Sequence, residues 1–417
     1  MNKVVAFLTP LLHIATRFAE VLQRARAPRR SMGASRLPAS MRILAALAGL
    51  GISAGASAAC NKPFKFGVGD PLTGPSATFG IDQVQAIKWA VEDINAAGGI
   101  NGCKLEVIIL DNQAKPDIAI TTTNRFIQVD KVPVIVTAFS NVVKAVAPIV
   151  NREKVLLLSV GANSPSIAKM GDYVYTTFPL ADVDMNALPP YLIKKHGKKR
   201  AAVLYVNHET GIEGSQVFRD AFKASGGEVV MYDSYEENRT DFTGLALKVR
   251  STNPDVIHIQ SVVSDFPAIV SQLRQLGITT QVTSFQTAFN TKMIQDLGVA
   301  SEGIIVTSMA PGVDQNPALV PYLKRWQDQY KRLPNGLPYT QYWYDSAYIV
   351  ADLFRWVEAN KLPATGENMR KALLAIKSFK QPLSGPVTFF ENHTVSKATY
   401  FWQVKGGKFV MIDKSDL

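Results

Sequence analysis

Short apolar runs alternate with helix-period segments along most of this chain. FKFGV (64–68), LEVIIL (105–110), VPVIVT (132–137), VLLLS (155–159), AAVLYV (201–206), DVIHIQ (255–260) and GIIVTS (303–308) are nearly continuous in apolar residues. Strands of that kind are parallel and covered on both faces. Between them the spacing changes. Val84, Ile87, Val91 and Ile94 recur at helical intervals, with Lys88, Glu92 and Asp93 set away from them. Thr210 precedes a segment carrying Val217, Phe218, Ala221 and Phe222, and Gly226-Gly227 ends it. The pattern predicts an α/β protein with doubly wound parallel sheets.

The alternation begins twice. One set runs over 64–178, a polar Pro-containing passage covers 179–184, and a second set runs over 188–307. A helix-rich stretch (317–377) and a C-terminal strand pair (about 385–410) follow. Two lobes with a cleft between them are expected: 60–179 plus 308–385 in the N-terminal lobe, and 180–307 plus 386–417 in the C-terminal lobe.

The N-terminus modifies the reading of composition. Met41 to Ala59 holds one arginine, an apolar run (43–52) and Ala56-Ser57-Ala58, the small-x-small form of a cleavage site. The run is shorter than the roughly 20 residues of a membrane span. Residues 1–59 are therefore read as a leader removed on export to the periplasm, with the start at Met1, Met32 or Met41. They contain Lys3 and seven arginines against Glu20. Removing them changes a net charge of +11 to near +4, from 37 basic and 33 acidic residues. No basic arm remains, so no nucleic-acid partner is indicated.

Cys60 and Cys103 are the only cysteines. Each lies just before a strand, and neighbouring parallel strands bring those starts together. In an oxidising compartment that placement predicts a disulfide, the alternative being two free thiols. A lipid anchor on Cys60 is the weaker reading, because Ser57 stands where an apolar residue is wanted.

Catalytic signatures are missing: there is no Gly-x-Ser-x-Gly elbow, Walker A loop, Gly-x-Gly-x-x-Gly fingerprint or His-Glu-x-x-His. None of the five histidines has a partner at metal-ligand spacing. His258, in an apolar strand, reads as a packed core residue; His208 and Glu209 lie in a loop after a strand. The expectation is a protein that is not an enzyme and has no cofactor or metal. What remains is a set of loops at the C-terminal ends of strands, where open α/β sheets bind ligands. These are DPLTGPSATFG (70–80), Ser140-Asn141, and Gly161-Ala162-Asn163-Ser164. Their hydroxyls, amides and backbone N–H groups suit a small carboxylate or amide, although helix capping accounts for Ser140 or Ser164 equally well.

PLTGPSATFG, INAAGGINGCKLEV, VLLLSVGANSP, FKASGGEVV and Trp343-Tyr344-Asp345-Ser346-Ala347 resemble the type I periplasmic solute-binding proteins of branched-chain amino acid uptake. The resemblance spans nearly all of the chain after the leader. It implies a small-molecule ligand, a membrane permease of an ABC transporter as partner, and a monomer. It also implies binding positions. Ser140, with Asn141, matches the hydroxyl that grips a carboxylate. Gly161, Ala162 and Asn163 match the next loop, with Asn163 in place of a Thr. Phe79 matches an aromatic that packs on the ligand, and Tyr339 another. Thr210 and Val262 stand where the family has tyrosines. Gln286 stands where an acid meets the ligand ammonium, with Glu209 or Asp265 as substitutes for it. A desolvated ammonium without a carboxylate costs several kcal/mol. The ligand expected is therefore an aromatic or branched organic acid, or an amide, rather than a zwitterionic amino acid. The alternatives are an amino acid-binding protein proper and a ligand-sensing domain that reports to a receptor.

Overall fold

The computed structural model describes residue 60 and residues 62–415, apart from 238 and 263. The expected leader, cleavage site and start lie outside these residues. Among the described residues no helix is long and apolar enough to cross a membrane.

The first half builds a five-stranded parallel sheet. Its strands are β1 (Phe64–Asp70), β2 (Leu105–Asp111), β3 (Val134–Thr137), β4 (Leu156–Ser159) and β5 (Val174–Thr176), ordered β2-β1-β3-β4-β5. Helices α1 (Ala77–Ala96), α2 (Pro116–Arg125) and α3 (Ser140–Glu153) connect them. Helix α4 (Ala181–His196) leads into a seven-stranded sheet. Its strands are β6 (Arg200–Val206), β7 (Glu228–Tyr235), β8 (Val256–Gln260), β9 (Gln281–Ser284) and β10 (Ile305–Ser308), with β13 (Thr399–Lys405) and β14 (Lys408–Ser415) from the C-terminus. The order is β14-β13-β10-β9-β8-β6-β7. Within this sheet, among the described residues, the β10–β13 and β13–β14 pairs are antiparallel and the rest parallel. The helices of this half are α5 (Glu209–Ala224), α6 (Thr243–Thr252), α7 (Asp265–Gln275) and α8 (Thr291–Leu297). Helices α9 (Leu319–Tyr330), α10 (Leu337–Ala359) and α11 (Gly366–Ile376) lie between β10 and a small ladder of β11 (Ser378–Phe379) and β12 (Val387–Thr388).

Each sheet is covered on both faces, which is why its strands are apolar in both directions. On the first sheet, α1, α9, α10 and α11 close one face around Trp89, Trp326, Trp343 and Phe354. The side chains Val143, Val146 and Val150 of α3 and Phe126 close the other. On the second sheet, Phe266, Ile269 and Met293 face one side, and Met185, Phe218 and Phe222 the other. Val387, Phe389 and Val395 belong to the core of the first lobe. That core thus extends past 385, where the sequence reading ended it. The C-terminal strand pair falls over 399–415 rather than 385–410.

Cys60 and Cys103 form a disulfide, with Cα atoms 5.1 Å apart. The β1–β2 register, Phe64 opposite Leu105, brings them there. His258 is fully buried and stacked on Phe218 with ring centroids 3.9 Å apart. Its ring nitrogens meet Thr283 and Gln260. Burial pushes the imidazole down to about 4, so it is a neutral core residue.

Candidate ligand-binding cleft

The loops after β1, β3 and β4 face those after β6, β7, β8 and β9 across a cavity of about 340 Å³. Helix α3 begins at its floor. Phe139, just before the helix, has φ +65°, a conformation that a bulky residue rarely adopts. Strain of this kind persists where surrounding structure over-determines it, and it clusters at functional sites. Here it starts α3 at Ser140 and leaves the first-turn amides at the cavity, an arrangement that favours a negative charge. The Ser140 Oγ accepts the Ser164 N–H at 3.2 Å and the Thr210 Oγ1 hydroxyl at 3.1 Å. Asn141 donates through Nδ2 to the Ala114 carbonyl at 3.2 Å.

Aromatic rings make the apolar walls. Phe79 enters from α1, Phe139 from the β3 loop, Phe285 from the β9 end and Tyr339 from α10. Tyr339 is stacked on Phe178 with centroids 5.3 Å apart, and burial raises its phenol above the ordinary value. Gly161, at φ +113°, lets this ring approach: a Cβ there would lie 3.0 Å from it. Asp82 ties α1, which carries Phe79, to the segment just before α10, which carries Tyr339. Its carboxylate accepts from Arg332 Nη1 and Nη2 at 2.6 and 2.7 Å, from the Asn335 N–H at 2.7 Å and from Asn335 Nδ2 at 3.1 Å.

The second lobe contributes a more polar wall, with Thr287, Asn290, Lys292 and Asp296 around the start of α8. Lys292 pairs with Asp296 at 2.7 Å, both half-exposed. Glu237 also lines the cavity; lost hydration and the charge of Asp265 raise its carboxyl. Burial lowers the His208 imidazole below its ordinary value, and the charge of Glu209 opposes this in part.

Of the positions singled out from sequence, Phe79, Ser140, Asn141, Gly161, Asn163, Thr210, Val262 and Tyr339 line the cavity. Two do not. Ala162 turns into the core on the α3 side of the first sheet, because side chains alternate along an extended chain and its neighbours face the cleft. Gln286 is fully buried in a short 3₁₀ turn, where its Oε1 accepts the Met309 N–H at 3.1 Å. It lies beside Tyr339 rather than in the cavity. The two acids considered as substitutes also lie elsewhere. Glu209 pairs with Lys144 at 2.8 Å, and Asp265 is buried and accepts the Ser264 hydroxyl at 2.9 Å. Glu237, Lys292 and Asp296 escaped the sequence reading. The one local signal was Asn290, which caps α8 by accepting the Met293 N–H at 2.7 Å.

Among the described residues no cluster of three or more His, Cys, Asp or Glu could hold a metal ion. Among the described residues, Lys292, paired with Asp296, is the one lysine or arginine on the cavity wall.

A family profile described as "Periplasmic binding protein" matches residues 63–408. The leucine-specific-binding protein of Salmonella typhimurium is 26% identical over 277 residues, covering 66% of this chain and 74% of that protein. The Leu/Ile/Val-binding protein of Escherichia coli K12 is 26% identical over 278 residues, covering 66% and 76%. Two solved structures share the fold at TM-score 0.75. One is the branched-chain amino acid transporter substrate binding protein of Streptococcus pneumoniae in complex with isoleucine, 23% identical over 84% of this chain and all of that one. The other is a solute-binding protein of an ABC transporter from R. palustris in complex with benzoate, 20% identical over 85% and 96%.

Proposed function

Because the chain belongs to the periplasmic binding protein family, we propose that it is the exported substrate-binding component of an ABC importer of the branched-chain amino acid type. It captures a small carboxylate-bearing molecule between its lobes and presents the closed form to a membrane permease. The observation that carries this reading is the start of α3 at the floor of an aromatic-walled interlobe cavity, with the Ser140 hydroxyl beside it. A carboxylate seated there meets backbone N–H groups, a hydroxyl and the positive end of a helix. Phe79, Tyr339, Phe139 and Phe285 suit an aromatic or branched body. We place the lobe crossings at 179–180, at 307–308 and, given the packing of Val395, at 396–398.

The organic-acid reading rests on the neutral floor: Gln286 brings no charge and is turned away behind Tyr339. One observation favours an amino acid instead. Glu237, at the mouth, is a carboxylate that an ammonium could meet. Calorimetric titration with benzoate, 4-hydroxybenzoate, leucine and isoleucine separates the two. Binding of either acid but neither amino acid supports the organic-acid reading. Tight leucine binding that is abolished by Glu237→Gln overturns it in favour of the second.

A further inference from the structure

Helix α5 belongs to the seven-stranded lobe, yet three residues within its first five tie it to the other lobe. Glu209 meets Lys144 of α3 at 2.8 Å. Thr210 donates to the Ser140 Oγ at 3.1 Å. Glu213 Oε2 accepts the Ser164 hydroxyl at 2.5 Å and the Ser166 N–H at 2.8 Å. The first is a half-exposed pair of small worth. The other two converge on one atom, because the backbone N–H of the same Ser164 donates to the Ser140 Oγ at 3.2 Å.

A hydroxyl oxygen accepts two hydrogen bonds and donates one. With Ser164 N–H and Thr210 Oγ1 filling both acceptor sites, Ser140 retains one O–H and no free lone pair. We infer that Thr210 and Glu213 are positioning residues that turn the Ser140 hydroxyl into an obligate donor when the lobes meet. Formation of the anion site and closure of the cleft are then one event. Glu213 contributes by fixing the Ser164 loop through charge-assisted bonds, and Thr210 by occupying the second lone pair. Neither touches the ligand through these bonds. The selectivity follows: a ligand group at Ser140 must accept, so a carboxylate oxygen, which only accepts and carries charge, is favoured over a neutral hydroxyl, and an ammonium, which only donates, is rejected. This inference rests on the ligand-binding reading above, and it adds the source of preference for an anionic oxygen.

The test combines release kinetics with an interlobe distance. Benzoate, leucine and isoleucine serve as probes on the full chain, with a spin-label pair placed on exposed positions of the two lobes. Glu213→Gln and Thr210→Val are each expected to release the tightest probe about tenfold faster, the scale of one lost hydrogen bond. Thr210→Ser is expected to restore the rate. In a Ser140→Ala background, Thr210→Val is expected to have no further effect, since both act through one hydroxyl. Additive effects, or unchanged release in Glu213→Gln, overturn the inference. If the wild-type chain binds none of the three probes, the ligand reading fails by itself. The distance distribution then decides: a shift toward longer distances in Glu213→Gln supports the circuit, and an unchanged distribution refutes it.

Discussion

Replacing Asp184 by Asn tests the electrostatics beneath the cleft. Asp184 sits in the first turn of α4, where the chain enters the second lobe, and its Oδ2 accepts the Thr307 hydroxyl at 2.7 Å. It is fully buried. Lost hydration raises its carboxyl from 3.8 to about 7, and the Thr307 hydroxyl offsets this only in part. A proton held more tightly in the folded state than in the unfolded one stabilises the fold most at low pH. That contribution declines as pH rises from the unfolded value through the folded one. Each pH unit in that window removes about 1.4 kcal/mol, so the total is about 4 kcal/mol, with roughly 2.5 kcal/mol of it lost between pH 5 and pH 8. Asp184→Asn keeps the size and the acceptor for Thr307 but has no charge to bury. Its stability relative to the wild type should therefore rise by roughly 2.5 kcal/mol between those two pH values. Urea unfolding at both, followed by circular dichroism and tryptophan fluorescence, gives the difference, and coincident transitions justify a two-state treatment. A difference independent of pH would mean that Asp184 is ionised in the folded protein, and would refute the reasoning.

Three further outcomes follow from single contacts. Reduction of the Cys60–Cys103 bridge, which closes a loop of 43 residues, is expected to lower stability by about 4 kcal/mol, read as the shift in unfolding with and without reductant. Asp82→Ala strips four hydrogen bonds from Arg332 and Asn335 and should cost about 3–5 kcal/mol in the same assay. Gly336→Ala puts a Cβ 2.4 Å from the Phe79 ring at φ +62°; the ring must move into the cavity, and the tightest probe is expected to bind about tenfold more weakly by calorimetry.

The buried strands were legible because two covered faces force apolar residues at nearly every position, as in Val134–Val136 and Leu156–Leu158. Strand β7, at a sheet edge, was not, and the C-terminal pair ending in the other edge strand, β14, was placed too early, because the polar positions of edge strands resemble loop. The first-lobe half of the cavity could be read from sequence since each loop follows directly on a legible strand. Glu237, Lys292 and Asp296 could not. The loop after β7 and the start of α8 come together only through the strand order β9-β8-β6-β7, which no local pattern encodes. Gln286 was misplaced for another reason. Its position in the chain follows the family, but a 3₁₀ turn and the Met309 N–H redirect its side chain.

The partner of β10 is β13, and between them the chain builds α9, α10 and α11, which pack in the other lobe. During synthesis the edge of β10 therefore stays open while nearly a hundred residues are added elsewhere. The C-terminal strands act as a late seal. A chain that stops before Thr399 carries a complete first core and a second sheet with a bare apolar edge, which invites pairing between molecules. Loss of a small C-terminal piece, far in sequence from the cleft, would thus be expressed as aggregation rather than as weak binding.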